Sequence, residues 1–222
     1  MEELKIVLEK AVFFAGQNVS GTISLKNNQP LKFRGVTLNL TGKAKASWSE
    51  SDGDGSSTYS KKEPYFRQQS LLVGSGREEM VVDGGQHRYP FNFNLPRDIP
   101  SSFEGEHGYV RYCLSAVVDR PWRSDLETTV PLNVVALVDL NNIDPPIAEP
   151  ATASQAHMFS CTAGVVNVVL SLPTGGVVPG QTLRPTLEVE DNSNASLRRV
   201  RLKLVQIVTY KASASRRKVC TK

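Results

Sequence analysis

The chain has 222 residues, of which 22% are charged, 40% apolar and 7% aromatic, and it carries a net charge of +4. That is globular composition with length for one or two cores, and it excludes fibrous and disordered classes. No run approaches the roughly 18 apolar residues that cross a bilayer, and the opening MEELKIVLEK lacks the basic-then-apolar plan of a secretory leader, so a cytoplasmic protein is expected.

Apolar residues alternate with polar ones in segment after segment, and no stretch sustains the i, i+3, i+4 spacing of a helix, so the chain reads as all-β. In chain order the expected strands of the first half are 4–8, 19–25, 36–48, 65–73, 89–95, 110–118 and 128–135. In the third, Val36, Leu38, Leu40, Gly42, Ala44, Ala46 and Trp48 point one way, and Thr37, Asn39, Thr41, Lys43, Lys45 and Ser47 the other. Tyr89, Phe91, Phe93 and Leu95, then Val110, Tyr112, Leu114, Ala116 and Val118, repeat that period and supply the rest of a shared core. Seven short strands punctuated by Gly, Pro, Asn and Ser predict an immunoglobulin-like antiparallel β-sandwich. Residues 49–60 (SESDGDGSSTYS) read as a mobile solvated loop.

An internal repeat sets the domain organisation. AGQNVSGTISLKNNQPLKFRGVTLNL at 15–40 returns as PGQTLRPTLEVEDNSNASLRRVRLKL at 179–204, at a constant offset of 164. Eight pairs are identical, among them Gly16/Gly180, Gln17/Gln181, Thr22/Thr186 and Leu40/Leu204, where chance gives about one or two. We therefore expect a tandem of sandwiches: 1–143, a proline-rich linker at 144–157, and 158–222. Residue 222 maps onto position 58 of the first copy, so the second has counterparts of only the first three strands. An incomplete second sandwich leaves Val200, Leu202 and Leu204 without an opposing sheet, and the parent protein is expected to continue.

Catalytic constellations are missing from the linear pattern. There is no P-loop, G-x-G-x-x-G, H-E-x-x-H, C-x-x-C or G-x-S-x-G. His87 and His107 fall in turns and His157 in the linker, so they are expected to stand apart. Glu78-Glu79 and Glu104 with Glu106 read as solvated loop acids. Cys113, Cys161 and Cys220 are odd in number and widely spaced, which suits neither a disulfide framework nor a zinc motif. No enzyme, cofactor or metal is implied.

Charge is uneven: residues 1–159 hold 16 Lys/Arg against 19 Asp/Glu, net −3, and 160–222 hold 10 against 3, net +7. Arg199, Arg201 and Lys203 alternate with Val200, Leu202 and Leu204 and would project together from a sheet, with Arg216, Arg217 and Lys218 next in sequence. Such a stripe suits phosphoinositide headgroups or acidic tails; a charged guard on an edge strand is the plainer reading. Nucleic acid is not expected, because no aromatic stacking platform accompanies the charges. Earlier in the chain, Phe103 reads as an apolar plug over one end of the core. Pro121 ends a strand, and Trp122 would cover the sandwich edge. Arg120 and Trp122 together form a second candidate docking pair.

Residues 100–122 (PSSFEGEHGYVRYCLSAVVDRPW) resemble the signature of the α-arrestins, the arrestin domain-containing proteins related to thioredoxin-interacting protein. Supporting segments are 12–21 (VFFAGQNVSG), 42–48 (GKAKASW) and 84–96 (GGQHRYPFNFNLP), with 176–181 (GVVPGQ) and 208–212 (VTYKA) in the second half. The resemblance implies a cytoplasmic adaptor, recruited to plasma membrane and endosomes, that binds cytosolic parts of membrane receptors or transporters and couples them to ubiquitination, endocytosis and sorting. In that family Nedd4-type ubiquitin ligases are recruited through Pro-Pro-x-Tyr motifs of a tail; here the only Pro-Pro is followed by Ile147-Ala148. Alternatives are a retromer-like sorting subunit and an extracellular binding sandwich.

Overall fold

The computed structural model describes residues 2–53, 55–138, 151–156, 165–178, 180–192, 199–213 and 215–221. All regular structure among them is β. By compactness the chain divides into two units, Met1–Leu137 with Gln206–Lys222, and Val138–Val205. The C-terminal residues thus cluster with the first unit.

The first unit holds β1 (Glu3–Leu8), β2 (Val12–Phe14), β3 (Asn18–Asn27), β4 (Leu31–Phe33), β5 (Gly35–Asp52), β6 (Gly55–Gly74), β7 (Met80–Val82), β8 (Gly85–Asn94), β9 (Phe103–Gly105), β10 (Gly108–Asp119) and β11 (Leu126–Val135). The second holds β12 (Ala151–Ala156), β13 (Val165–Ser171) and β14 (Thr186–Asp191), and the C-terminal hairpin is β15 (Ile207–Lys211) with β16 (Arg217–Thr221). The first unit is a sandwich. One sheet runs β1-β3-β8; the other runs β2-β11-β10-β5-β6, with β9 on β10 and the β2–β11 pairing parallel. Val19, Ile23, Leu25, Phe91 and Phe93 from the first sheet meet Val36, Leu38, Leu40, Tyr112, Leu114, Ala116, Val118, Leu132 and Val134 from the second in one buried cluster. These are the inward positions of the alternation, as a sheet dry on one face demands.

Residues 49–60 correct the sequence expectation: they form a hairpin, not a loop. β5 and β6 pair out to Asp52↔Gly55, and Gly53 takes φ 49° in the turn, as a glycine at the first central position of a two-residue hairpin turn allows. Trp48 and Tyr59 lie across the ribbon with ring centroids 5.8 Å apart, and the hydroxyls of Ser49 and Thr58 are 2.9 Å apart. The partner strand β10 ends opposite Ala46, and beyond Trp48, which is 4% exposed, the ribbon has no apolar period to read.

The repeat is visible in atoms. Phe14 N–H donates to Gln17 Oε1 and Val178 N–H to Gln181 Oε1, each at 3.2 Å. Gln17 N–H closes on Phe14 O and Gln181 N–H on Val178 O, each at 3.0 Å. Between them Gly16 and Gly180 adopt φ 80° and 89°, the left-handed region that an L side chain resists. The strands that follow share register: Val7↔Thr22 and Ile6↔Ile23 in β1–β3 recur 164 residues on as Ser171↔Thr186 and Leu170↔Leu187 in β13–β14.

Other expectations are corrected. Of the proposed linker, 151–156 form β12, paired antiparallel to β13: the open edge of β13 offers unpaired backbone groups, and a stretch of small residues beyond the last proline satisfies them. The remaining linker positions except Ala156's neighbour His157 precede Ala151, and both those positions and His157 lie outside the described residues. Residues 199–206 form no strand, although Val200, Leu202 and Leu204 repeat the inward set of β5. They are 40%, 51% and 96% exposed. Alternation says which side chains would share a face; a ladder also needs a neighbouring strand.

Candidate interaction surface

The outward face of β5 is where charge gathers. Register places Lys45 opposite both Lys62 of β6 and Tyr109 of β10, Lys43 opposite Pro64 and Arg111, and Thr41 opposite Arg67 and Cys113. A bulge at Gly42/Lys43 absorbs Tyr65 and keeps Arg67 in phase with this face. Lys43, Lys45, Lys62, Arg67 and Arg111 therefore share one side of three adjacent strands. Like charges placed directly opposite repel, so this arrangement costs stability unless an anion offsets it.

Only Arg111 is engaged among the described residues. Its Nε and Nη2 donate to the two oxygens of Glu104 on β9, at 2.5 and 2.8 Å, and its guanidinium lies 3.9 Å from the Tyr109 ring centroid. The hydrogen bond with Arg111 holds the Glu104 carboxyl below its ordinary range, and the same bond raises Arg111. Lys43, Lys45, Lys62 and Arg67 make no ion pair with a described residue. The outward position of Lys43 and Lys45 is legible in the sequence; their meeting with Lys62, Arg67 and Arg111 depends on register, which is not.

The residues nominated from sequence are placed differently. Arg199, Arg201 and Lys203 are exposed on a segment without strand structure, so no sheet aligns them. Arg216, Arg217 and Lys218 belong to the other compact unit. The Arg216 guanidinium lies 4.8 Å from the Tyr59 ring centroid, and Arg217 and Lys218 pair with Lys211 and Tyr210 across the C-terminal hairpin.

Arg120 is built into the fold. Its side chain is 10% exposed and bound to Glu2, its Nε donates to Ser124 O at 2.8 Å, and its backbone N–H donates to Asp125 Oδ1 at 3.0 Å. Trp122 covers nothing: it is 99% exposed at φ 62°, because the turn after Pro121 swings it into solvent. Phe103 is half-buried outside the main core. It lines a groove of about 430 Å³ with Ala44, Ala46, Val110 and residues of β15. His87 sits on β8, its Nε2 2.9 Å from Asp83 O. His107 does not stand apart, for Glu106 and Cys220 come close to it. No helix of the described residues is long and apolar enough to cross a membrane.

Comparison with known proteins adds family information. Residues 4–141 match the model of the arrestin (or S-antigen) N-terminal domain, and residues 162–222 that of the C-terminal domain. Arrestin domain-containing protein 17 of Caenorhabditis elegans is 35% identical over 213 residues, covering 90% of this chain and 50% of that protein. Arrestin domain-containing protein 4 of Mus musculus is 30% identical over 234 residues, covering 99% and 56%. The chain thus spans about half the length of the curated relatives it matches. Among solved structures, the sporulation control protein Spo0M of Bacillus subtilis aligns with a TM-score of 0.46 and 16% identity over 85% of this chain and 79% of that one, too loose a likeness to bear on function.

Proposed function

The chain belongs to the arrestin family, in its α-arrestin branch, and on that premise we propose that it is an adaptor whose β5–β6–β10 face receives an acidic segment from the cytosolic part of a membrane receptor or transporter. Coupling of that cargo to ubiquitination, endocytosis and endosomal sorting is the further part of the reading. The observation that carries it is the set of five cations on one sheet face, with Glu104 as the carboxylate paired to it. Exposed charges in this number supply on-rate and selectivity for an anionic segment more than raw affinity.

The experiment is fluorescence anisotropy of an Asp/Glu-rich peptide against the 222-residue chain at increasing salt. Affinity should fall steeply with ionic strength. Lys45→Glu with Lys62→Glu should weaken binding at least about tenfold, since each reversal turns an attraction of up to ~1 kcal/mol into a repulsion. Arg199→Glu with Arg201→Glu should leave binding unchanged. Equal loss in both double variants, or none in the first, overturns the assignment. Preference for phosphoinositide vesicles over the peptide would assign the face to a membrane instead.

A further inference from the structure

The β9–β10 turn and the last strand bring together three metal-ligating side chains that are far apart in sequence. Glu106 and His107 form the two-residue turn between Gly105 and Gly108, and Cys220 lies on β16 opposite Val208. A carboxylate oxygen, an imidazole nitrogen and Sγ all lie within 4.8 Å of one another. Glu106 Oε1 is 3.4 Å from His107 Nε2. Tetrahedral zinc, with bonds of about 2.0–2.1 Å to N or O and about 2.3 Å to S, separates its ligand atoms by about 3.3–3.6 Å. The Glu–His edge already has that span, and Sγ, within 4.8 Å of both, has to approach by at most about 1.5 Å to reach it.

The imidazole is held in place. His107 O accepts from Ser47 N–H at 2.7 Å, its side chain is 18% exposed, and its ring meets Tyr210 edge-on at 5.5 Å and 77°. Tyr210, 6% exposed, lies over the turn so closely that a Cβ at Gly105 would strike its hydroxyl. Cys220 is a free thiol. The turn, the tyrosine and the thiol are thus held within one compact unit.

We propose that Glu106, His107 and Cys220 bind a divalent thiophilic metal ion of the zinc type, with water in the fourth position, clipping the β15–β16 hairpin to the β9–β10 turn. Thiolate with imidazole favours zinc over calcium or magnesium. The thiol coordinates as thiolate, releasing its proton to solvent. Thiolate and carboxylate together then balance the two charges of the ion. The inference is independent of the basic face, which no ligand of this site belongs to.

The test is titration of the reduced, metal-free 222-residue chain with Co²⁺, read by the thiolate-to-cobalt charge-transfer band in the near ultraviolet and by competition with Zn²⁺. A saturable band at one ion per chain is expected, together with a rise in Tm on adding Zn²⁺. Cys220→Ser should abolish the band, His107→Ala should weaken binding at least about tenfold, Glu106→Gln should weaken it less, and Cys113→Ser should leave it unchanged. Circular dichroism checks that each variant is folded; if Cys220→Ser is not, His107→Ala and Glu106→Gln decide. No band, a band that survives Cys220→Ser in folded protein, or one unaffected by both His107→Ala and Glu106→Gln overturns the proposal.

Discussion

Replacing Arg120 by Ala separates architecture from docking at the Arg-Pro-Trp corner. The side chain donates to Ser124 O through Nε and Nη2 and to the Glu2 carboxylate through Nη1, and it is 10% exposed. A hydrogen bond from a charged donor contributes about 1.5–3 kcal/mol. The Glu2 pair adds at most about 1 kcal/mol, because Glu2 is partly solvated and Arg123 Nη1 remains 3.9 Å from its other oxygen. The expected loss is about 2–4 kcal/mol, a fall in Tm of roughly 5–15 °C for a unit of this size. Arg120→Lys should recover only part of it, since an ammonium lacks the planar fork that spans both partners. Trp122→Ala should stay within about 0.5 kcal/mol of wild type, and Trp122→Gly should stabilise by up to about 1 kcal/mol by relieving a φ that a side chain resists. Thermal unfolding followed by circular dichroism, beside peptide anisotropy, reads both properties. An Arg120→Ala variant that melts within about one degree of wild type, yet loses peptide binding, would refute the structural assignment.

Two further perturbations test the fold. Gly16→Ala and Gly180→Ala should each cost about 1–2 kcal/mol in a urea titration, because both force an L residue into the left-handed region. Gly16→Ala should cost slightly more, as its Cβ would meet Arg97 Cγ at 2.8 Å while Gly180 has open space; a neutral result at either site means the turn is not maintained. Burial, with the charge of Tyr65 a lesser cause, pushes the Tyr112 phenol from 10.0 up to about 12. The folded state therefore favours the neutral form: its stability contribution is whole below pH 10.0 and is lost as pH rises toward about 12. Tyr112→Phe should lose about 1 kcal/mol at neutral pH with the bond to Pro100 O, and its stability should fall less over that alkaline window. Parallel decline of the two proteins would count against the burial argument.

Residues differ in how much of their fate the linear sequence carries. Leu38, Leu40, Leu114 and Ala116 were legible because a sheet with one dry face imposes a period of two. The short strands β2, β4, β7 and β9 span three residues each, too few to display a period. The described residues of 49–60 are almost all exposed, so hydrophobicity is silent there and Gly53 in the turn is the surviving signal. Arg199, Arg201 and Lys203 mislead for the complementary reason: their period is right, and no neighbouring strand answers it. The family, by contrast, was legible from 100–122, and the matches to both arrestin domains agree with it. The basic face and the Glu106–His107–Cys220 group depend on register and on contacts between distant segments, which no local pattern encodes.

The chain has two tryptophans, and their surroundings could hardly differ more: Trp122 is 99% exposed and Trp48 is 4% exposed. Trp48 also donates its indole N–H to Glu50 Oε1 at 2.9 Å. The molecule therefore carries its own pair of optical reporters. Iodide quenches the solvent-facing indole and spares the shielded one, so opening at the base of the β5–β6 ribbon registers as a gain in quenchable emission against an unchanging internal reference, without any attached dye.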